Sequence, residues 1–273
     1  MSKMLRLARS RISLVITGIL LILSPIIAYS QDLSQLKISA TEEGAYRTLL
    51  KKSGKVIWQA SWSVNKTNKN GKEIVKITER GSGKYNDSPQ DITWVMETSL
   101  ILGNNPLILE TIRITRDSGN NELWRRNKIF DYPNRELIAE QFEHGKLKKI
   151  KTARLPETIT FTSDILAILL RGYNFEAPEP FDFYIFSSEA KLFRIQAQMI
   201  GTETVRVPAG EFECYKMELI LDLGVANLLT KYILPKTYMW FSKKQPHYWL
   251  KFEGLEGGVG SPYVVMELLK YTL

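Results

Sequence analysis

The chain has 273 residues, with 37 Lys plus Arg, 29 Asp plus Glu, one Cys and two His. Its formal net charge is +8, but four of the positive residues lie in the first eleven positions; without them the balance is 33 to 29, or +4. A net charge of this size gives no indication of a nucleic-acid partner. A single cysteine cannot form an internal disulfide, so the fold must be held by a buried apolar core.

The first thirty residues predict a cleavable signal peptide. The basic start is followed by an apolar run at 12–23, which is too short for a membrane span, and the small residues Ala28 and Ser30 fit cleavage before Gln31. The alternative is an uncleaved anchor. We therefore expect 1–30 to be removed and 31–273 to form a single β-rich domain in the periplasm or outside the cell, not integral to a membrane.

Alternating apolar and polar residues predict strands from position 45 onward. The clearest alternation places one set of side chains on a single face, namely Val56, Trp58, Ala60, Trp62 and Val64. Further strands are predicted at 73–84, 92–100, 107–116, 122–131, 136–143 and 146–155, and strands resume at Phe181. Short turns rich in Gly, Asn and Pro separate them, which is typical of a meander.

One helix is predicted at Asp164–Arg171, with Thr162 or Ser163 as its cap and Gly172 at its end. Five of its eight residues are Ile or Leu, too many for a lone surface helix, so it should pack against the sheet, inside its curve. The predicted fold class is mainly β: a curved antiparallel sheet, an open or half barrel, packed on one or two helices.

The sequence carries no familiar catalytic or metal-binding motif. His144 lies beside a turn glycine and is expected to be solvated, whereas His247 lies among aromatic residues and is expected to be packed or exposed in a turn. Cys214 is expected to be an inert, half-buried thiol because no neighbouring base or cation would activate it. We predict no catalytic residue, no metal site and no cofactor.

A basic run at 146–154 allows two interpretations. Its amines could contact anionic headgroups or lipopolysaccharide phosphates. Alternatively, lysines on an edge strand prevent pairing between sheet edges, and this second interpretation is favoured. The positive residues are Lys146, Lys148, Lys149, Lys151 and Arg154.

The aromatic residues suggest a ligand site. Trp58, Trp62, Trp94 and Met96 could line one concave sheet face, with the helix at its mouth, and hold an acyl chain. The alternative is that these side chains simply form the core beneath the helix. The pattern does not separate a filled core from a cavity.

The C-terminal half resembles a known family of exported bacterial proteins, domain of unknown function 3108. The resemblance is carried by a strand, a Pro-Ala-Gly turn and a returning strand at 201–218, by the helix with Asp164 at its start and Arg171 at its end, and by the segment from Tyr238 to Pro246. It implies a periplasmic, curved antiparallel sheet similar to the half-barrel of lipoprotein carriers. It also implies no established enzymatic activity.

Two functional hypotheses follow from these patterns. The first is a non-enzymatic envelope protein that binds a lipid or another apolar ligand on the face of Trp58, Trp62, Trp94 and Met96. The second is an envelope interaction or scaffolding protein that docks a protein partner through its sheet edge or basic strand and holds no small ligand. An enzymatic function would have to rest on His247 or Cys214.

Overall fold

The structure is a computed structural model that describes residues 33–84, 90–187, 190–222, 235–258 and 260–272. The predicted signal peptide lies outside these residues. The described strands are β1 (Thr41–Leu50), β2 (Val56–Lys69), β3 (Lys72–Gly83), β4 (Ile92–Ile101), β5 (Leu107–Arg116), β6 (Glu122–Asp131), β7 (Glu136–Glu143), β8 (Lys146–Arg154), β9 (Thr160–Thr162), β10 (Phe181–Phe186), β11 (Leu192–Val207), β12 (Gly210–Asp222), β13 (Thr237–Ser242), β14 (Trp249–Leu255) and β15 (Tyr263–Thr272).

These fifteen strands form one sheet in the order β8-β7-β6-β5-β4-β3-β2-β1-β15-β14-β13-β12-β11-β10-β9. The chain starts in the middle, runs outward to β8, continues at the opposite edge with β9, and returns strand by strand until β15 pairs with β1. Within the described residues β8 and β9 do not pair with each other, so the sheet is open. The predicted mainly β, antiparallel fold class is confirmed.

The helical segment lies between β9 and β10 and consists of a 3-10 turn (Ser163–Ile165), one α-turn (Leu166–Leu169) and a second 3-10 turn (Leu170–Gly172). It forms the crossover connection between β9 and β10, which neighbouring parallel strands require. Every other described strand pair is antiparallel. The prediction of a side-chain cap was wrong: the cap residue, Thr162, closes β9, is fully buried and accepts no capping hydrogen bond from a backbone N–H.

Gly172 ends the segment for a packing reason and not as a left-handed cap. A Cβ at this position would lie 2.9 Å from the Cβ atoms of both Leu33 and Leu36. The chain before β1 therefore rests directly on the end of the helical segment. None of the helices in the described ranges is long and apolar enough to cross a membrane.

The main core lies between the two halves of the sheet. It combines buried side chains of β2 to β7, such as Ile77 and Leu137, with Phe183 and Met217 of the returning strands and Leu169 of the helical segment. One cluster can join strands so far apart in the sheet only if the sheet curves around the helical segment, as the sequence predicted. The apolar helix thus fills the concave side.

The predicted strands from 73 to 155 agree with the observed bounds to within one or two residues. One facing prediction was wrong: Val56 is 37% exposed, although the alternation placed it with Trp58 on the buried face. A register shift opposite Thr48 and Leu49 explains this, because Thr48 pairs with Trp58 while Leu49 pairs with Val56. The alternation is interrupted there by one residue.

Candidate functional site

The four residues predicted to line a ligand site share the inner face but are packed in the core. Trp58 is 4%, Trp94 2% and Met96 1% exposed, and Trp62 is partly buried against all three apolar clusters of the described chain. Met96 belongs to the main core, whereas Trp58 and Trp94 belong to a separate cluster. Ligand binding by these four residues stays a prediction.

An aromatic cluster, formed by Tyr46, Trp58, Trp94 and Trp249, covers one end of the inner face. The Trp58 ring lies 5.6 Å from that of Tyr46 and 5.3 Å from that of Trp94, and Trp249 lies 5.2 Å from Tyr46. All three pairs are edge-to-face, the favourable geometry for aromatic rings. The rings therefore fill the space between them.

Glycines on the neighbouring strands make room for the indoles. A Cβ on Gly81 would lie 2.0 Å from Cζ2 of Trp94, and one on Gly44 would lie 2.6 Å from Cζ2 of Trp62. Each indole thus lies directly against a position on the neighbouring strand where only a hydrogen atom fits. A glycine inside a strand pattern is the sequence signal for such close approach, and it was available at both positions.

Carboxylates on the same face satisfy the polar atoms of the aromatic cluster. Glu79 accepts hydrogen bonds from the Tyr46 hydroxyl and, at 2.7 Å, from Nε1 of Trp94. Glu256 accepts one from Nε1 of Trp58. Because a buried indole N–H needs an acceptor, these glutamates fix the orientation of the rings. Sequence reasoning missed both.

An open groove of about 620 Å³ lies beside Trp58, at the ends of β2 and β3. Its polar lining is of mixed charge and consists of Lys55, Gln59, Ser82, Lys84, Asp91 and Glu256. Trp58 is one of the residues that line this groove, whereas Trp62, Trp94 and Met96 do not line it. The structure thus brings one of the four predicted residues to an open surface.

A buried ion pair joins the helical segment to β1. Nη1 of Arg171 donates to Glu42 at 2.7 Å, and the side chains are 2% and 0% exposed. Arg171 also donates to the carbonyl oxygens of Lys37 (2.8 Å) and Pro246 (3.0 Å), and it lies 5.1 Å from the Tyr248 ring. The guanidinium thereby ties together β1, the chain before it and the turn before β14.

Both histidines have structural environments. His144 is exposed at the β7–β8 turn, as predicted, and has a positive φ of 48°. His247 is 6% exposed; its Nδ1 lies 2.9 Å from the Ser242 carbonyl and its Nε2 lies 2.7 Å from the Gln245 amide. With both ring nitrogens bonded, His247 is packed, which is the first of the two environments that the sequence left open.

Cys214 is more buried than predicted. It is fully buried, not half-buried, because it faces an apolar cluster with Trp240 and Leu250. Burial raises the pKa of the thiol to about 11, so the reactive thiolate is scarce at neutral pH. Within the described residues no group of His, Cys, Asp and Glu could hold a metal ion.

The inner face of β5 and β6 carries three cations that no local sequence pattern indicated. Arg113 pairs across the strands with Arg126, and Lys128 follows two positions later on the same face. Asp164 of the helical segment lies 3.5 Å from Arg113 and 3.6 Å from Lys128. We call Arg113, Arg126 and Lys128 the inner cationic cluster.

Asp164 gives this cluster a testable pH dependence. Burial would raise the pKa of its carboxyl, but Lys128, Arg113 and Arg126 outweigh burial and hold the pKa below its usual 3.8. A depressed folded-state pKa stabilises the protein fully above the unfolded value, and the stabilisation is lost as pH falls through the folded value. We therefore expect Asp164→Asn to reduce the free energy of unfolding at pH 7 and to have a progressively smaller effect below about pH 4. Urea titrations of both proteins across this range measure the difference; a difference independent of pH would contradict the assignment.

Strand β8 forms an outer edge of the sheet, as the protective interpretation predicted. Leu147 and Ile150 are 50% and 54% exposed, the two most exposed large apolar side chains in the described part of the chain. Lys148 pairs with Glu143 at 3.2 Å. The opposite edge, β9, has only three residues, and all are buried.

No family model matches this chain, and no curated protein matches it. It is similar to the crystal structure of a β-barrel-like protein of domain of unknown function 1849 from Brucella abortus, with 9% identity and a TM-score of 0.47, over 85% of this chain and 97% of that one. A protein from Bacteroides fragilis assigned as exported, with a YmcC-like fold, has 10% identity and a TM-score of 0.32, over 85% and 95%. A protein from Parabacteroides distasonis assigned as a lipoprotein has 10% identity and a TM-score of 0.30, over 87% and 98%. Because these TM-scores are all below 0.5, the description of the fold rests on this chain's own strands. Membership in domain of unknown function 3108, the family that the C-terminal half resembles, stays a prediction.

Proposed function

We propose that this chain is a non-enzymatic exported protein of the cell envelope that docks a partner along β8, in the manner of strand addition to a sheet edge. Export is supported by the pattern of the first thirty residues and by the resemblance to domain of unknown function 3108. The single observation that carries the docking function is the nine-residue edge strand with Leu147 and Ile150 exposed.

A purely protective edge would not expose large apolar side chains. Proteins protect sheet edges with charge, proline or short strands, and β9 illustrates the last of these. Strand β8 instead carries Leu147 and Ile150 between its lysines. Its positive charge repels a second copy of the same edge, while its apolar side chains remain available to a different strand.

The charge of β8 indicates the chemistry of the partner. Five Lys or Arg side chains lie in nine residues, and β8 itself contains no acid. We infer an extended acidic segment as the partner, because opposite charges on neighbouring strands are favourable and like charges are not. Buried environments of His247 and Cys214 support a function without catalysis.

A binding titration tests this proposal. The probe is a labelled nine-residue peptide of alternating valine and glutamate, and the control peptide alternates valine and lysine. Ile150→Asp should weaken binding of the acidic peptide by about tenfold or more, since it places a negative charge opposite the negative charges of the peptide. Ile220→Asp is the matched control: Ile220 is 39% exposed on the interior strand β12, and its replacement should leave the affinity unchanged.

The peptide titration, combined with mass spectrometry, separates docking from ligand binding. The groove beside Trp58, whose lining combines apolar and charged side chains, favours binding of an amphipathic ligand as the second candidate function. Native and denaturing mass spectra of protein exported and purified without detergent would reveal a bound lipid. A lipid at near-stoichiometric amount, together with equal affinity for the acidic and basic peptides, would replace docking by ligand binding.

A further inference from the structure

The inner cationic cluster is an unusual arrangement for a sheet. Arg113 and Arg126 are directly opposite on neighbouring antiparallel strands, and both belong to the inner face with Lys128. Like charges at directly opposed positions destabilise a sheet. A face built only for packing would gain nothing from three cations side by side, so the arrangement calls for a partner of negative charge.

Asp164 supplies only part of that charge. Its carboxylate is 3.5 Å from Arg113 and 3.6 Å from Lys128, longer than the 2.7–2.9 Å typical of a close charge-assisted hydrogen bond. Among the described residues Arg126 forms no ion pair, although its charge contributes to the lowered pKa of Asp164. Arg126 is therefore the cation of this cluster whose exposed guanidinium is available to a further anion.

Two side chains of the cluster are held by their neighbours, and the third is exposed to solvent. Lys128 is 6% exposed and is held by Asp164 and by the carbonyl oxygen of Phe186 at 3.4 Å. The guanidinium of Arg113 lies 5.4 Å from the centre of the Trp94 ring, which restricts its orientation. Arg126 is exposed. A ligand can therefore reach the guanidinium of Arg126 directly, beside the guanidinium of Arg113, whose side chain is 16% exposed and is fixed by its neighbours.

Positive charge continues from the cluster toward the edge of the sheet. Lys149 lies on the same face, one strand beyond Gln141, the residue that pairs with Arg126. Lys151 likewise lies beyond Ala139, the residue that pairs with Lys128. This face of β5 to β8 thus presents an approach lined with cations and leading to the arginine pair.

We propose that the inner cationic cluster is a binding site for a phosphate-bearing ligand, held by the guanidinium groups of Arg113 and Arg126 and by the ammonium group of Lys128. Planar guanidinium groups donate paired hydrogen bonds to phosphate oxygens, and lysine adds a point charge. The site goes beyond docking at β8 and needs no partner strand there.

Calorimetric titration with three probes tests the site. The probes are inorganic phosphate, dihexanoyl phosphatidic acid below its micelle concentration and dihexanoyl phosphatidylcholine as a lipid without excess negative charge. Arg126→Gln should weaken the binding of inorganic phosphate or phosphatidic acid by about tenfold, because it removes a charge-assisted hydrogen bond at an exposed position. Arg80→Gln, the same change on the outer face of β3, should leave binding unchanged.

The outcomes identify the source of the phosphate. Tighter binding of phosphatidic acid than of inorganic phosphate, both sensitive to Arg126→Gln, assigns a lipid headgroup. Equal binding of the two probes assigns a free phosphate group. Equal weakening by Arg126→Gln and Arg80→Gln, or no saturable binding at millimolar concentrations, would overturn the site. Ile150→Asp should leave phosphate binding intact, so the site and the docking edge fail or succeed separately.

Discussion

Replacing Glu42 by glutamine is expected to lower the free energy of unfolding by about 3–5 kcal/mol, the range for a buried ion pair that loses one partner. Arg171 would then remain inside the protein as a buried charge without its carboxylate. Its bonds to the carbonyl oxygens of Lys37 and Pro246 hold it in place, so it cannot turn toward water. Urea unfolding followed by tryptophan fluorescence measures the loss.

The neighbouring Glu43 provides a matched control. It is exposed on the outer face of the same strand, and Glu43→Gln should change the free energy of unfolding by no more than about 0.5 kcal/mol. The double replacement Glu42→Leu with Arg171→Met should recover part of the lost stability, because no buried charge then remains. Recovery should be incomplete, since the two carbonyl oxygens lose their donor. Equal effects of Glu42→Gln and Glu43→Gln would show that the ion pair does not hold the helical segment.

The strand positions could be predicted because their signals are local. Alternation and turn residues within each stretch of about ten residues mark β3 to β8. The burial of the helical segment also followed from its own composition, since Leu169 and Leu170 are fully buried. The parallel pairing of β9 with β10 could not be read in this way, because it depends on how the helical segment carries the chain back across the sheet, so that β10 runs beside β9 in the same direction.

The facing of β5 shows where alternation fails. A period of two alone would assign Ile112 and Ile114 to the core, but the register places Thr111, Arg113 and Thr115 on the inner face with Trp94 and Met96. Thr111 is buried through a hydrogen bond to Thr98 at 3.0 Å. The inner face accepts polar residues here because their partners come from other strands and from Asp164. Such partners are distant in sequence and leave no local pattern.

The candidate site shows the same limit of local patterns. Sequence placed Trp58, Trp62 and Trp94 on one face correctly, but it could not show that the rings of Tyr46 and Trp249 complete the packing. Whether a concave face is filled depends on side chains from both halves of the sheet. The arginine pair was missed for the same reason, since only the register brings Arg113 and Arg126 together.

Gly81→Ala is expected to destabilise the protein by about 1–3 kcal/mol, the cost of forcing extra volume into a packed core. The added Cβ would lie 2.0 Å from Cζ2 of Trp94, and the indole cannot move freely because its Nε1 donates to Glu79 and its ring packs against Trp58. The backbone of Gly81 needs no positive φ, so the effect is purely steric. Thermal unfolding monitored by circular dichroism measures it.

Gly103→Ala is the control, because a Cβ there has no neighbour closer than 3.9 Å. Its effect on stability should be small by comparison. Combining Gly81→Ala with Trp94→Phe should cost less than the sum of the two separate changes, because the smaller ring leaves room for the new methyl group. Strict additivity would mean that Gly81 and Trp94 do not share this contact. Non-additivity would establish that Trp94 fits on the inner face only because Gly81 has no side chain, and that the aromatic cluster is a packed core.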